Sequence, residues 1–168
     1  MKFVDFDSSL FLLKRFNRSS FNISYNNESL EFWTPKLYIP FGLEEKFNSY
    51  FINYELIDFK KDIEIQKFFD FLVNIETSII RQLDLDKEDL NSQIRITDCN
   101  PILYTKIIQK NNTIITSIKN DRNENLNIFN LEKNTYGKLY LILDKIWYKN
   151  SKFYFKYKIK DMIYYNNA

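Results

Sequence analysis

A stretch near the C-terminus combines positive charge with aromatic rings. Residues 145–165 read KIWYKNSKFYFKYKIKDMIYY, and the six lysines from Lys145 to Lys160 have no acidic residue among them. Over residues 152–160 two classes of side chain alternate strictly, so a β-strand there places lysines and one tyrosine on one face. These outward residues are Lys152, Tyr154, Lys156, Lys158 and Lys160. Same-side neighbours lie roughly 6–7 Å apart, which is close to the phosphate repeat of an extended nucleic-acid strand.

Such a stripe indicates the binding of a single-stranded polyanion. Ammonium groups contact phosphates, and aromatic side chains stack on unpaired bases for about 1–3 kcal/mol per base, whatever the base sequence. Trp147 and Tyr148 supply further rings beside Tyr154, and Lys106 and Tyr104 in an upstream hairpin are second candidates. The alternative is that these lysines only solvate an exposed sheet face or protect a sheet edge.

The distribution of charge favours a local basic surface over a general affinity for nucleic acid. Residues 1–100 hold twelve Lys/Arg and seventeen Asp/Glu, whereas residues 101–168 hold twelve and five. The net charge of the chain is only +2, but the field near a patch depends on the charges nearby. The C-terminal part is therefore the expected binding region.

Several catalytic chemistries lack the residues that they need. The chain has no histidine, which excludes Ser-His-Asp and Cys-His nucleophiles and most zinc sites. Cys99 is the single cysteine, and two glycines cannot build a Gly-rich phosphate loop. The acidic run Asp84, Asp86, Glu88 and Asp89 is the one candidate for Mg²⁺, but a contiguous run after a helix is typical of a solvated loop. We therefore expect neither enzymatic activity nor a cofactor.

The strongest helical signal covers residues 62–83. Apolar residues recur there at intervals of three and four, which predicts one buried stripe. The stripe consists of Phe68, Leu72, Ile75, Ile79 and Leu83. Glu64 near the start and Arg81 near the end suit the helix dipole. The helix is therefore expected to be deeply packed.

Upstream of the helix, aromatic and β-branched residues predict short strands. Pro35 and Pro40 favour an edge strand or an extended segment for residues 36–39, because proline cannot donate to a strand ladder. Gly42 marks a turn with positive φ. Residues 47–57 have the composition of one strand.

Downstream of the helix, the sequence predicts at least four antiparallel strands. Residues 102–110 and 113–119 flank an Asn-Asn turn, and the last two strands meet at residues 149–151. The whole order predicts an α+β, mostly β fold: an OB-like small antiparallel barrel with one long inserted helix. A β-sandwich with one helix is the alternative. The length predicts a single domain over residues 1–168.

Three segments resemble the single-stranded-DNA-binding proteins predicted in nucleocytoplasmic large DNA viruses. They are Ile39-Pro40-Phe41-Gly42-Leu43, the LYLILDKIW run with Ile146-Trp147, and the strand at residues 153–159. The resemblance spans roughly residues 30–165. It implies an OB-type barrel that coats exposed strands during viral replication.

The sequence thus predicts a non-enzymatic, sequence-nonspecific single-stranded-DNA-binding protein associated with viral replication. The expected partner is single-stranded DNA, with RNA as the other candidate and a homo-oligomer left open; no membrane and no small-molecule cofactor is expected. The lone cysteine and the absence of a leader-like start favour a cytoplasmic site, in the host cytoplasm or at a viral replication site, over secretion. The competing hypothesis is a protein-interaction or structural subunit that uses exposed aromatics as interface anchors.

Overall fold

Short strands dominate the chain, which the computed structural model describes over residues 1–166. The strands before the helix are Phe11–Asn17 (β1), Ser20–Tyr25 (β2), Leu30–Trp33 (β3), Leu37–Ile39 (β4), Leu43–Lys46 (β5) and Ser49–Glu55 (β6). The helix α1 is Ile63–Leu83. The later strands are Ile94–Arg95 (β7), Ile102–Ile107 (β8), Gln109–Lys110 (β9), Thr113–Ile114 (β10), Ser117–Asn120 (β11), Thr135–Leu143 (β12), Lys145–Lys149 (β13), Lys152–Phe155 (β14) and Tyr157–Tyr165 (β15). Single 3₁₀ turns occur at Phe3–Asp5, Ser8–Leu10, Lys87–Asp89 and Ile128–Asn130.

Five strands close into a barrel. Around the ring, β4 pairs with β6, β6 with β8, β8 with β15, β15 with β12, and β12 again with β4. All these pairings are antiparallel except that of β8 with β15, which is parallel. This five-stranded closure confirms the predicted OB-like fold and excludes the sandwich alternative. In chain order the barrel strands are β4, β6, β8, β12 and β15.

The predicted helix is confirmed to within one residue at its start. The Asp62 carboxylate accepts hydrogen bonds from the backbone N–H groups of Glu64 and Ile65, which satisfies the first turn. The helix ends where Asp84 adopts a left-handed conformation. Its buried face packs against β3, which pairs with the barrel strand β12, and the ring centroid of Phe71 lies 4.7 Å from that of Phe32 in β3. No helix within residues 1–166 has the length and apolar character needed to span a bilayer.

A second sheet of four strands, in the order β1-β2-β13-β14, joins the barrel. One of its faces is buried, through Phe11, Ile23, Ile146 and Phe155, so the other face points outward. Its β1 edge is attached to α1: the Gln82 side-chain amide donates to the Phe11 carbonyl at 2.6 Å and accepts from the backbone N–H of Leu13 at 3.0 Å.

The predicted final strand is divided between the two sheets. The chain leaves the ladder at Lys156, so β14 belongs to the four-stranded sheet and β15 to the barrel. The expected alternation nevertheless continues through the break, because Phe155, Tyr157 and Ile159 are all fully buried.

Two upstream expectations need correction. Residues 36–39 do not form an edge, because β4 lies between β12 and β6 with the prolines just outside the strand. Residues 47–57 are not one strand, because residues 47 and 48 form the turn of the β5–β6 hairpin. The positive φ at Gly42, 71°, is confirmed.

The hairpin predicted around Asn111 and Asn112 is confirmed only at its tip. Both asparagines have positive φ, and β9 pairs with β10 beside them. Farther from the turn the chains separate, and β11 pairs in parallel with β15 instead of with β8. The two strands beyond the turn therefore pair with different neighbours, β8 with β6 and β11 with β15.

The buried side chains form one continuous cluster that includes barrel, helix and second-sheet residues. Packing is tight at Gly137 in β12. A Cβ atom there would lie 2.7 Å from Cε of Met162 and 3.2 Å from Cδ1 of Ile39. The glycine therefore allows β12 to approach these two side chains.

Candidate nucleic-acid interface

The outer face of β6 and β8 carries rings beside a cation. The register pairs Phe51 with Lys106 and Asn53 with Tyr104, and directly paired residues share a face. The Lys106 ammonium lies 5.9 Å from the centroid of the Phe51 ring, within cation–π range. The structure therefore places Tyr104 and Lys106, both candidates from the sequence, next to each other.

A groove of about 270 Å³ lies over this face, between the β5–β6 hairpin and residues 91–93. Lys46 and Lys156 line it together with the rings of Phe51 and Tyr104. One carboxylate, that of Glu44, also lines the groove and accepts a hydrogen bond from the Asn53 side chain. The groove thus presents cations and aromatic faces, with its carboxylate engaged by an amide.

Lys156 is held in place within this groove. Its ammonium donates a hydrogen bond to Oε1 of Gln93 at 3.1 Å. Gln93 is itself buried, and its side-chain amide donates to the Asn91 carbonyl at 3.1 Å. Burial, with a smaller effect from the positive charge of Lys106, lowers the pKa of Lys156. A half-buried, oriented cation without a carboxylate partner suits an anionic ligand better than an ordinary surface lysine.

Residues 90–93 connect the groove to the second sheet. The Asn91 backbone N–H donates to the Phe153 carbonyl in β14 at 2.9 Å, and the Tyr104 N–H donates to the Gln93 carbonyl at 2.9 Å. These bonds attach the segment to β14 on one side and to β8 on the other. The surface is therefore continuous from the barrel to the β13–β14 hairpin.

The outer face of that hairpin forms a second group of candidates. Trp147 pairs with Tyr154, and their rings stack with centroids 6.0 Å apart and planes 21° apart. Lys149 pairs with Lys152 at the hairpin end, on the same face as Trp147. We call these four residues the hairpin platform.

Tyr148 does not belong to the hairpin platform. It lies on the opposite face of β13, where its ring centroid is 4.9 Å from that of Phe153. Neighbouring residues in a strand point in opposite directions, so Trp147 and Tyr148 cannot present their rings on one surface. The two rings that the sequence analysis grouped together thus lie on opposite faces of β13.

The lysines of the predicted row differ in whether they form ion pairs. Lys158 is in register with Lys106 on the barrel, but its ammonium forms an ion pair with Asp144 at 3.1 Å. Lys160 forms an ion pair with Glu31 at 3.7 Å and lies 5.8 Å from the ring centroid of Tyr140. Among the candidate lysines, Lys106, Lys152 and Lys156 therefore remain available to a polyanion to a greater extent than Lys158 and Lys160.

Phe47 is a candidate that the sequence did not single out. It occupies the first position of the two-residue β5–β6 turn, with φ of 50°, and its side chain is 102% exposed. Three other turns with consecutive positive φ values in residues 1–166 begin with Asn26, Asn111 and Asn150. Asparagine tolerates this conformation far better than phenylalanine. A strained and fully exposed ring next to the groove suggests a role in binding.

The acidic run after α1 serves local structure. Asp86 and Asp89 form a reciprocal capping box around the 3₁₀ turn, and Asp84 ends the helix. Within residues 1–166 no three His, Cys, Asp or Glu side chains converge as a metal site would require.

Comparisons with known proteins support the fold. No protein-family model matches this chain, and no curated protein matches it at a significant level. Among solved structures, it is similar to gp2.5, a single-stranded DNA binding protein encoded by bacteriophage T7, with a TM-score of 0.56 and 11% identity over 83% of this chain and 88% of that one. The single-stranded DNA-binding protein of bacteriophage Enc34, with a C-terminal truncation, has a TM-score of 0.56 and 8% identity over 96% of this chain and 98% of that one. The Enc34 protein in complex with ssDNA has a TM-score of 0.54 and 10% identity over 94% of this chain and 96% of that one.

These similarities concern architecture. Identities of 8–11% show a shared fold, and a shared fold alone does not establish a shared function. The similar structures come from bacteriophages. The resemblance to proteins of nucleocytoplasmic large DNA viruses therefore stays a prediction.

Proposed function

We propose that this chain binds single-stranded DNA without sequence preference. The observation that carries the proposal is the continuity of the groove with the hairpin platform. Lys156 supplies charge in the groove, Lys106 lies beside it over the Phe51 ring, and Trp147 and Tyr154 supply stacked rings beyond it. Cations for phosphates and rings for bases are the two components of sequence-tolerant single-strand binding.

The position of these residues on the barrel supports the same function. OB-folds bind oligonucleotides on the face of their second and third strands and on the loops joining strands one to two and four to five. In this chain the second and third barrel strands are β6 and β8, and the two connections contain β5 and the β13–β14 hairpin. The groove and the hairpin platform occupy those places. The similar phage structures are single-stranded DNA-binding proteins by name, one of them in complex with ssDNA.

Binding would derive from two separable contributions. Each phosphate that a lysine neutralises releases counterions, with a slope of log affinity against log salt of about −0.7 per contact on single strands. Each stacked base adds about 1–3 kcal/mol and tolerates any base, because every base has a π face. Neither contribution reads base edges, so sequence preference is expected to be weak.

The test is a fluorescence-polarisation titration at two salt concentrations. Oligo-dT, an RNA of equal length and a DNA duplex are compared on the wild type, on Lys106→Gln/Lys156→Gln, and on Lys60→Gln/Lys61→Gln as a charge-matched control away from the groove. We expect single-stranded DNA to bind more tightly than duplex, and the groove variant to bind weakly with a salt slope shallower by about 1.4. Equal binding by the two variants would contradict the assignment of the groove.

The finer proposal is that the protein coats strands exposed during viral replication, in the host cytoplasm or at a viral replication site. It rests on the resemblance at residues 39–43 and 153–159, and the phage proteins of similar fold are compatible with it. Labelled protein in infected cells should colocalise with newly synthesised viral DNA. A diffuse distribution that ignores replicating DNA would count against this role.

A second candidate function, that of a protein-interaction subunit, has one observation in its favour. An open groove of about 690 Å³ between α1 and residues 87–96 is lined largely by apolar side chains, including Phe69, Val73, Ile80 and Ile96. Size-exclusion chromatography with and without oligo-dT separates the two functions. A stable oligomer that ignores the oligonucleotide would favour the subunit.

A further inference from the structure

The four-stranded sheet brings an N-terminal basic hairpin next to the C-terminal one. Asn22 of β2 pairs with Lys14 of β1 on one side and with Lys145 of β13 on the other. Paired residues share a face, so Lys14 and Lys145 lie in one row of the sheet. That face also carries Trp147 and Tyr154, because Trp147 lies two residues beyond Lys145 in the same strand. The outer face is thus a continuation of the hairpin platform.

Aromatic rings lie between these cations. Phe16 is 63% exposed on the outer face of β1, and the Lys145 ammonium lies 5.2 Å from its ring centroid. At the other end of the sheet, the Trp147–Tyr154 stack lies between Lys145 and the Lys149–Lys152 pair. The face therefore repeats the combination found in the groove.

The strands of this sheet carry charge of one sign only. The four strands and the two turns joining them as hairpins hold six cations and no acidic residue. Arg15 lies on the opposite face, over the Phe21 ring at 4.9 Å; the other five are Lys14, Arg18, Lys145, Lys149 and Lys152. Within residues 1–166 the two ion pairs belong to Lys158 and Lys160, both in β15 of the barrel. A surface of one sign of charge attracts a polyanion more strongly than the paired lysines of the barrel.

We propose that a single strand leaving the groove continues across the outer face of this sheet as far as Lys14 and Arg18. This inference rests on the proposed function and adds a second part to its binding path. Three strand spacings span about 14 Å, which corresponds to two or three phosphate repeats of about 6–7 Å on an extended strand. The exposed Phe16 ring selects a single strand over a duplex, since only unpaired bases offer a free face for stacking.

The experiment compares oligo-dT of increasing length on the wild type, on Lys14→Gln/Arg18→Gln/Lys145→Gln, and on Lys60→Gln/Lys61→Gln/Lys133→Gln as a control with the same loss of charge. We expect the sheet variant to bind short oligonucleotides like the wild type and to stop gaining affinity two or three nucleotides earlier. Its salt slope on long oligonucleotides should be shallower by about 2. Phe16→Ser, which removes an outward ring, should lower the affinity for long oligonucleotides about tenfold and leave the affinity for short ones unchanged.

Each other outcome overturns the inference in a recognisable way. Identical length curves for the sheet and control variants would show that the strand does not cross the sheet. Equal losses on short and long oligonucleotides would place the sheet in the primary contact. A larger loss on duplex than on oligo-dT would assign the sheet to double-stranded DNA. Failure of the wild type itself to bind oligo-dT would refute the proposed function, which the variants alone cannot do.

Discussion

The rings of Trp147 and Tyr154 face each other across the β13–β14 hairpin with their planes only 21° apart. The two residues are directly paired in the ladder, and both are half-buried on the outer face of the sheet. Pairing fixes the spacing of the rings, so they offer bases a surface that needs little reorganisation on binding. Preorganised aromatic surfaces lose less conformational entropy on binding than flexible ones.

Removing the Trp147 ring should weaken binding, whereas removing the adjacent ring should not. Trp147→Ala is expected to cost about 1–3 kcal/mol of oligo-dT binding, the value of one stacked base. Tyr148→Ala is the matched control, because its ring lies on the opposite face against Phe153. Fluorescence-polarisation titrations of both variants give the comparison. A larger loss in Tyr148→Ala than in Trp147→Ala would place the binding face on the other side of the hairpin.

Lys156 should make binding sensitive to alkaline pH. Burial, with a smaller effect of Lys106, lowers its pKa, so its ammonium loses its proton at a pH where exposed lysines keep theirs. Phosphate contact favours the charged form, so oligo-dT binding should take up a proton and weaken as pH rises from the lowered pKa towards about 10.4, the usual lysine value. Lys156→Arg keeps its charge and should lose this part of the pH dependence.

The stability of the free protein should change in the opposite direction over the same window. Between the lowered pKa and about 10.4 the unfolded chain holds a proton at Lys156 that the folded chain has released, so the free energy of unfolding rises with pH there. Urea denaturation of the wild type and Lys156→Gln at several pH values measures the difference. Parallel pH profiles for the two proteins would mean that Lys156 titrates normally.

Phe47 should favour binding at the expense of stability. A left-handed conformation costs a residue with a Cβ roughly 1–2 kcal/mol, and Asn relieves most of this cost at the first position of such a turn. Phe47→Asn is therefore expected to raise the free energy of unfolding by up to about 1 kcal/mol while it weakens oligo-dT binding. Denaturation and titration are measured on the same preparation. A variant that is stabilised and binds normally would leave Phe47 without a role in the groove.

The glycine in β12 should be coupled energetically to the side chain that covers it. Gly137→Ala places a methyl group 2.7 Å from Cε of Met162, and overpacking of this kind typically costs about 1–3 kcal/mol. Met162→Val removes the clashing atom, so the double variant should be more stable than the sum of the two single changes predicts. Urea denaturation of the four proteins measures the coupling, and additive losses would argue against direct contact.

The sequence predicted features that depend on local periodicity. The helix at residues 62–83 was found within one residue, because its apolar stripe continues through about four turns and Asp62 caps its first turn. The burial of Phe155, Tyr157 and Ile159 followed from simple alternation. Gly42 was identified as a turn because glycine tolerates the positive φ found there.

Features that depend on distant pairing were not predictable in this way. The ion pairs of Lys158 with Asp144 and of Lys160 with Glu31 join different strands, and no rule of spacing anticipates them. The alignment of Lys14 with Lys145 joins residues that are 131 positions apart. Tyr148 differs from these cases, since its position next to Trp147 already implied opposite faces.

The two hydrogen bonds from Gln82 to the β1 edge have a consequence for self-association. An exposed strand edge is a template on which another chain can add a strand. The Gln82 amide donates a hydrogen bond to the Phe11 carbonyl and accepts one from the Leu13 N–H. These are the groups with which an incoming strand would pair first. The Gln82 side chain at the end of α1 thus blocks the addition of another strand to β1, and with it polymerisation through this edge of the sheet.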